Sequence, residues 1–200
     1  MNVKEEDDAQ DEVEIDDNRK ILQFYLDGPK DCGKSAFFHK IGSKGGKEDV
    51  LIEKVNIQYI FIEVNENYKV QLHKTEINSF IQPDAIIMMY DVTDEKSLNY
   101  IKNRINMMKQ EQFNIKGISF CLVEIKGNEG QKIKCSFQQT KKCFEDEGIK
   151  ICYHGQISLV GESYEDYEKI IKDFALSMPK QGPKKIKLGE DKKEEYNSCC

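Results

Sequence analysis

The 200-residue sequence predicts an α/β domain with a mostly parallel six-stranded sheet and helices on both faces. Three observations predict it. From residue 85 onward, short apolar runs alternate with segments of helical spacing, which is the pattern of parallel strands joined by crossover helices. Ala85–Tyr90 is a continuous apolar run, as a central buried strand requires. The stretch Gly28-Pro29-Lys30-Asp31-Cys32-Gly33-Lys34-Ser35 follows the apolar run Ile21–Leu26 and precedes Ala36-Phe37-Phe38. That is a strand, a Gly-bounded loop and a helix start, in that order.

In chain order, residues 1–18 hold nine acids against Lys4, with almost no apolar content, and are expected to form a disordered acidic tail. They carry about −8 of the net charge of −6, leaving about +2 for the rest. No global basic field remains, so nucleic acid is not an expected partner. Residues 19–178 form the folded domain. Arg19–Leu26 is its first strand, and a helix follows the loop to about Ile41. Gly42–Lys47 reads as a flexible linker. Val55–Val64 and Tyr68–His73 are strands of a hairpin, turned at Asn65-Glu66-Asn67. After the Ala85 strand come a helix over Glu95–Gln110, a strand over Ile118–Val123, a helix over Ser136–Glu147, a strand over Ile149–Tyr153 and a helix over Glu162–Met178. Ligands in such sheets sit beyond the carboxyl ends of the strands. Residues 179–200 lack core-forming content and read as a flexible tail ending in Cys199-Cys200.

Seven cysteines without metal-ligand spacing read as reduced thiols, with Cys121 and Cys152 in core runs. No apolar run approaches the roughly 18 residues of a membrane span. His39, His73 and His154 are too scattered for a metal site and read as surface or loop residues.

The Gly28–Ser35 stretch fits G-x-x-x-x-G-K-S without a gap, the pattern of a P-loop NTPase fold. Its glycines let the backbone curl so that N–H groups face phosphate oxygens, and the helix N-terminus adds partial positive charge. Lys34 is placed to reach the β- and γ-phosphates, and the Ser35 hydroxyl to hold Mg²⁺. Residues 28–36, Ala36 included, are therefore the expected phosphate site. A chance Gly-rich turn is the bland alternative, and the apolar strand in front of the loop argues against it.

The loop, the hairpin and Tyr90-Asp91-Val92-Thr93-Asp94-Glu95-Lys96-Ser97-Leu98 together resemble the Ras superfamily, most of all the Rab small GTPases. The terminal Cys199-Cys200 resembles the Rab geranylgeranylation site. The resemblance spans roughly Arg19–Met178 plus the C-terminus. It implies GTP/GDP and Mg²⁺ as cofactors. It also implies a cytosolic protein held peripherally on a membrane by its prenylated tail, with effector and prenylation-escort proteins as partners. Two prenyl chains would supply the two signals that stable anchoring needs. Lys180, Lys184, Lys185 and Lys187 would add attraction to anionic lipid.

The departures from that family fall on its chemistry. Lys30 stands where Rabs carry a small residue, in the space of the attacking water, and Asp31 adds negative charge near the phosphates. Glu48–Lys54 stands at the family's switch I and resembles it only loosely, and no threonine lies between Ser35 and Thr75, so the family's second hydroxyl on Mg²⁺ is missing. The family's switch II Asp-x-x-Gly aligns with Lys74-Thr75-Glu76-Ile77. Its Asn-Lys-x-Asp aligns with Ile125-Lys126-Gly127-Asn128, where Lys126 can still cover a base. Asn128 replaces a carboxylate with an amide, which offers guanine one acceptor where two are needed. The family's Ser-Ala-Lys loop is not reproduced by His154-Gly155-Gln156-Ile157-Ser158. No catalytic residue is assigned. The expectation is a Rab-like GTP-binding trafficking protein with weak or no hydrolysis. Two alternatives stand beside it: a pseudo-GTPase interaction module, and a P-loop enzyme acting on another nucleotide. The terminal Cys-Cys and the Tyr90–Leu98 stretch argue against the second of these.

Overall fold

The computed structural model describes residues 19–44, 47–52, 55–74, 82–111, 114–126, 131–159 and 161–179. The acidic tail, most of the C-terminal tail with Cys199 and Cys200, residues 75–81 and Asn128 lie outside the described residues.

The chain runs β1 (Lys20–Asp27), α1 (Lys34–Ile41), β2 (Lys47–Ile52), β3 (Val55–Glu63), β4 (Tyr68–His73), β5 (Ala85–Asp91), α2 (Lys96–Gln110), β6 (Ser119–Lys126), α3 (Phe137–Glu145), β7 (Ile151–Ser158) and α4 (Tyr164–Ser177). The strands form one sheet in the order β2-β3-β4-β1-β5-β6-β7. The pairs β4–β1, β1–β5, β5–β6 and β6–β7 are parallel, while β2–β3 and β3–β4 are antiparallel. The protein is thus an α/β domain with a mostly parallel sheet.

Side chains of β5 alternate between two cores. Ala85, Ile87 and Met89 join Phe37, Phe38 and Ile41 of α1 and Tyr167, Ile171 and Phe174 of α4. Ile86, Met88 and Tyr90 join Ile101, Ile105 and Met108 of α2 and Phe144 of α3. Burial on both faces is why β5 reads as an uninterrupted apolar run. Helices α3 and α4 start at capping boxes, Ser136 with Gln139 and Ser163 with Asp166, so two N-terminal amides of each find a side-chain oxygen.

The sheet has seven strands, one more than the sequence predicts. The addition is β2, which begins at Lys47, the last residue of the expected linker, and covers the segment that the resemblance assigns to switch I. It pairs with β3 from Lys47 opposite Ile60 to Ile52 opposite Val55. A second difference is β7, which continues through His154–Ser158 rather than ending at Tyr153. Both strands are sheet edges, where polar residues are tolerated or favoured. The patterns of β2 and of His154–Ser158 therefore look like loops.

Two of the three histidines also differ from expectation. His73 is buried at the end of β4, with its ring stacked on Tyr25 at 4.4 Å. Burial pulls its pKa down to about 4. His154 lies in β7, stacked on Phe137 at 3.8 Å. His39 is exposed on α1.

Candidate functional site

The loop Gly28–Gly33 leaves the carboxyl end of β1 and enters α1. Its two glycines are fixed by close approach. Gly28 has φ 149°, and a Cβ there would stand 2.3 Å from the Met89 carbonyl oxygen of β5. Gly33 has φ 99°, and its Cβ would stand 2.8 Å from Leu159 Cδ1. The loop is therefore wedged between the ends of β5 and β7. Between the glycines, Asp31 takes a left-handed φ of 62°, a conformation that Asp adopts more readily than most residues. Lys30, Asp31, Ser35 and Ala36 are exposed, while Pro29 and Cys32 are buried.

Two features leave the loop suited to an anion. No side chain caps α1 at Gly33, and its first turn carries no acid. The first amides of α1 thus keep their hydrogen-bonding capacity, and the helix dipole is not offset. Lys34 Nζ donates to the carbonyls of Gly28 and Pro29, each at 2.5 Å, which holds the ammonium over the loop. Burial pushes the Cys32 thiol pKa up, with Lys34 pulling it back, so Cys32 behaves as a neutral packing residue.

Beneath the loop lies a group that the sequence reading missed. Phe24 and Leu26 face the α1–α4 core, so the alternate residue Asp27 faces α2. Its Oδ1 accepts from Gly28 N–H and from the Tyr100 hydroxyl, both at 2.7 Å. Its Oδ2 accepts from Arg104 Nε at 2.6 Å. Tyr100 and Arg104 are one helical turn apart on α2, which lets both reach one carboxylate. This clamp ties the first peptide of the loop to α2, and the guanidinium offsets the charge of a carboxylate adjacent to the loop. The only signals in the sequence were an acid ending an apolar strand and a Tyr-x-x-x-Arg spacing.

Asp91, ending β5, accepts from Thr93 N–H and Oγ1 through Oδ1, both at 2.7 Å, and so closes a turn. Lys74 follows β4, half-buried, with its ammonium 6.0 Å from the Phe38 ring of α1. Lys126 ends β6 and is exposed. Ile125, aligned with the family's base-reading asparagine, points into the α1–α4 core. Among the described residues, no group of three or more His, Cys, Asp or Glu side chains could hold a metal ion.

The fold and this loop define an α/β domain with a glycine-bounded, lysine-braced turn at the carboxyl edge of its sheet. No protein-family model matches the chain, and no curated protein matches it.

Proposed function

We propose that the chain is a divergent Rab-like protein that binds nucleotide phosphates on Gly28–Ala36 and hydrolyses GTP weakly or not at all. The observation that carries this reading is the loop itself. Its glycines are fixed by contacts at Met89 and Leu159, its lysine is held over it, and its helix start is uncapped. Those are the physical needs of a phosphate cradle. Mg²⁺ fits as a partner of the bound phosphates, with Ser35 the loop's one hydroxyl donor, and would neutralise phosphate charge there. Lys126 and Asn128 would meet the base, and Cys199 and Cys200 would carry prenyl groups that hold the protein on a cytosolic membrane face.

A specific observation favours a second reading, a pseudo-GTPase that uses fixed surfaces. The segment that the resemblance assigns to switch I is β2, bonded to β3 along its length. A segment committed to a sheet has less freedom to respond to a γ-phosphate than a loop has.

Calorimetric titration of the full chain with GDP and GTP tests the proposal. Binding that Lys34→Ala abolishes supports it. Equal affinity with and without Lys34 sinks it. A partner that binds equally well with either nucleotide would favour the second reading. Serine at both Cys199 and Cys200 should shift the protein from the membrane to the cytosolic fraction.

A further inference from the structure

On the opposite face of the sheet from α1, at the carboxyl ends of β6 and β7, lies a cavity of about 480 Å³. Glu124 and Gln156, side by side on β6 and β7, line it. They alternate with Ile125 and Ile157, which face the α1–α4 core, so the cavity belongs to the α2–α3 side. Val92, Ile133 and Phe137 supply apolar walls.

Glu124 is 5% exposed, a rare burial for a carboxylate. Its Oε1 accepts from the Tyr90 hydroxyl at 2.8 Å, and its Oε2 accepts from Gln156 Nε2. Both donors are neutral. His154 Nε2 lies 3.3 Å from Oε2, within ion-pair distance of a protonated imidazole, but forms no hydrogen bond. Each carboxylate oxygen can accept about two hydrogen bonds, so each retains capacity. A buried anion served only by neutral donors is costly unless a cation approaches. Lys126, the other charged lining residue, is exposed, so its charge is screened where that of Glu124 is not.

The geometry points to a binding site for a small organic cation, with a planar amidinium or guanidinium head on Glu124 and an apolar body along Phe137 and Ile133. A bare metal ion suits the site poorly, because Glu124 is the one carboxylate lining it, and among the described residues no group of three or more His, Cys, Asp or Glu side chains could hold a metal ion. An anion would meet the unscreened charge of Glu124. The N-terminus of α3 offsets this only in part, since Ser136 and Gln139 already occupy two of its amides. The cavity falls within the usual volume range of ligand sites, which are mostly apolar with a few convergent polar groups. This inference does not depend on nucleotide binding at the loop.

Benzamidine and its neutral counterpart benzamide, titrated into the full chain and followed by NMR, test it. Benzamidine should bind at least about tenfold more tightly, the order expected of one charge-assisted pair. Glu124→Gln keeps the shape and should erase the preference. Ile133→Lys, at a position 63% exposed, should weaken benzamidine binding without disturbing the core. Lys34→Ala should leave it unchanged. Equal binding of the two compounds by the unmodified protein, no binding of benzamidine, or a preference that survives in Glu124→Gln would each overturn the assignment.

Discussion

Arg104 Nε of α2 donates to Asp27 Oδ2 at 2.6 Å, joining residues 77 positions apart directly beneath the glycine loop. Both side chains are nearly buried, at 12% and 7% exposed. Removing one partner of such a pair leaves a charge without compensation, at a cost of roughly 3–5 kcal/mol. Arg104→Met should therefore lower stability by that order in denaturant melts, and Asp27→Asn in the Arg104→Met background should recover part of it. A loss below about 1 kcal/mol, the range of exposed pairs, would mean that solvent already screens the pair.

Gly28→Ala should be among the most damaging small substitutions in the domain. The added methyl would stand 2.3 Å from a backbone oxygen of β5, which cannot rotate away as a side chain could. Strain and overpacking together cost about 2–5 kcal/mol. Lys30→Ala, at an exposed position of the same loop, should change stability by less than about 0.5 kcal/mol. Thermal melts of the two variants compare them directly.

His73 should make the protein acid-sensitive. Its pKa is about 4 in the fold and about 6.5 in an unfolded chain. Between these values the unfolded state binds more protons, so stability rises with pH through the window and is lost as pH falls from about 6.5 to 4. The contribution is roughly 3 kcal/mol. His73→Phe keeps a ring against Tyr25 and removes the titration. Its stability, relative to the unmodified protein, should therefore improve as pH falls below 6. A constant difference from pH 7 to 4 would exclude His73 as the cause.

If Asn128 meets the base as proposed, base choice should be altered. Xanthine presents N1–H and a 2-oxo acceptor, which the Asn128 amide can match, whereas guanine leaves one donor facing another. A mismatch of this kind costs about 1–3 kcal/mol, so XDP should compete at least as well as GDP, and Asn128→Asp should restore guanine preference. Competition binding with GDP, XDP and ADP measures this. Strong GDP preference in the unmodified protein would show that another residue supplies the carboxylate.

Turnover should be low. On the proposed Rab-like reading, Lys30 would stand in the space of the attacking water, and Lys74 and Ile77 where that family has an Asp and a Gly. Electrostatic positioning carries most of the rate in phosphoryl transfer. Single-turnover GTP hydrolysis should fall below that of an ordinary Rab. A rate equal to one would overturn this.

What the amino-acid sequence determined by itself was whatever depends on neighbours along the chain. The Gly28–Ser35 loop, the four helices and the buried strand β5 follow from glycine spacing, apolar period and continuous burial, all of which act within a few residues. The α/β class follows from their alternation. The tertiary structure alone decided the contacts between distant residues. The edge strand β2 and the His154–Ser158 half of edge strand β7 look like loops because an edge strand is half-solvated and tolerates polar residues. His73 looks like a surface histidine until Tyr25 of the neighbouring strand covers it. Asp27 reads as an ordinary acid at a strand end until α2 brings Tyr100 and Arg104 against it. Glu124 looks like a polar residue just past the end of a strand until Tyr90 and Gln156, from the strands on either side, enclose it. A buried charge is stable only where the fold gathers its partners, and partners drawn from separate strands and helices leave no local pattern.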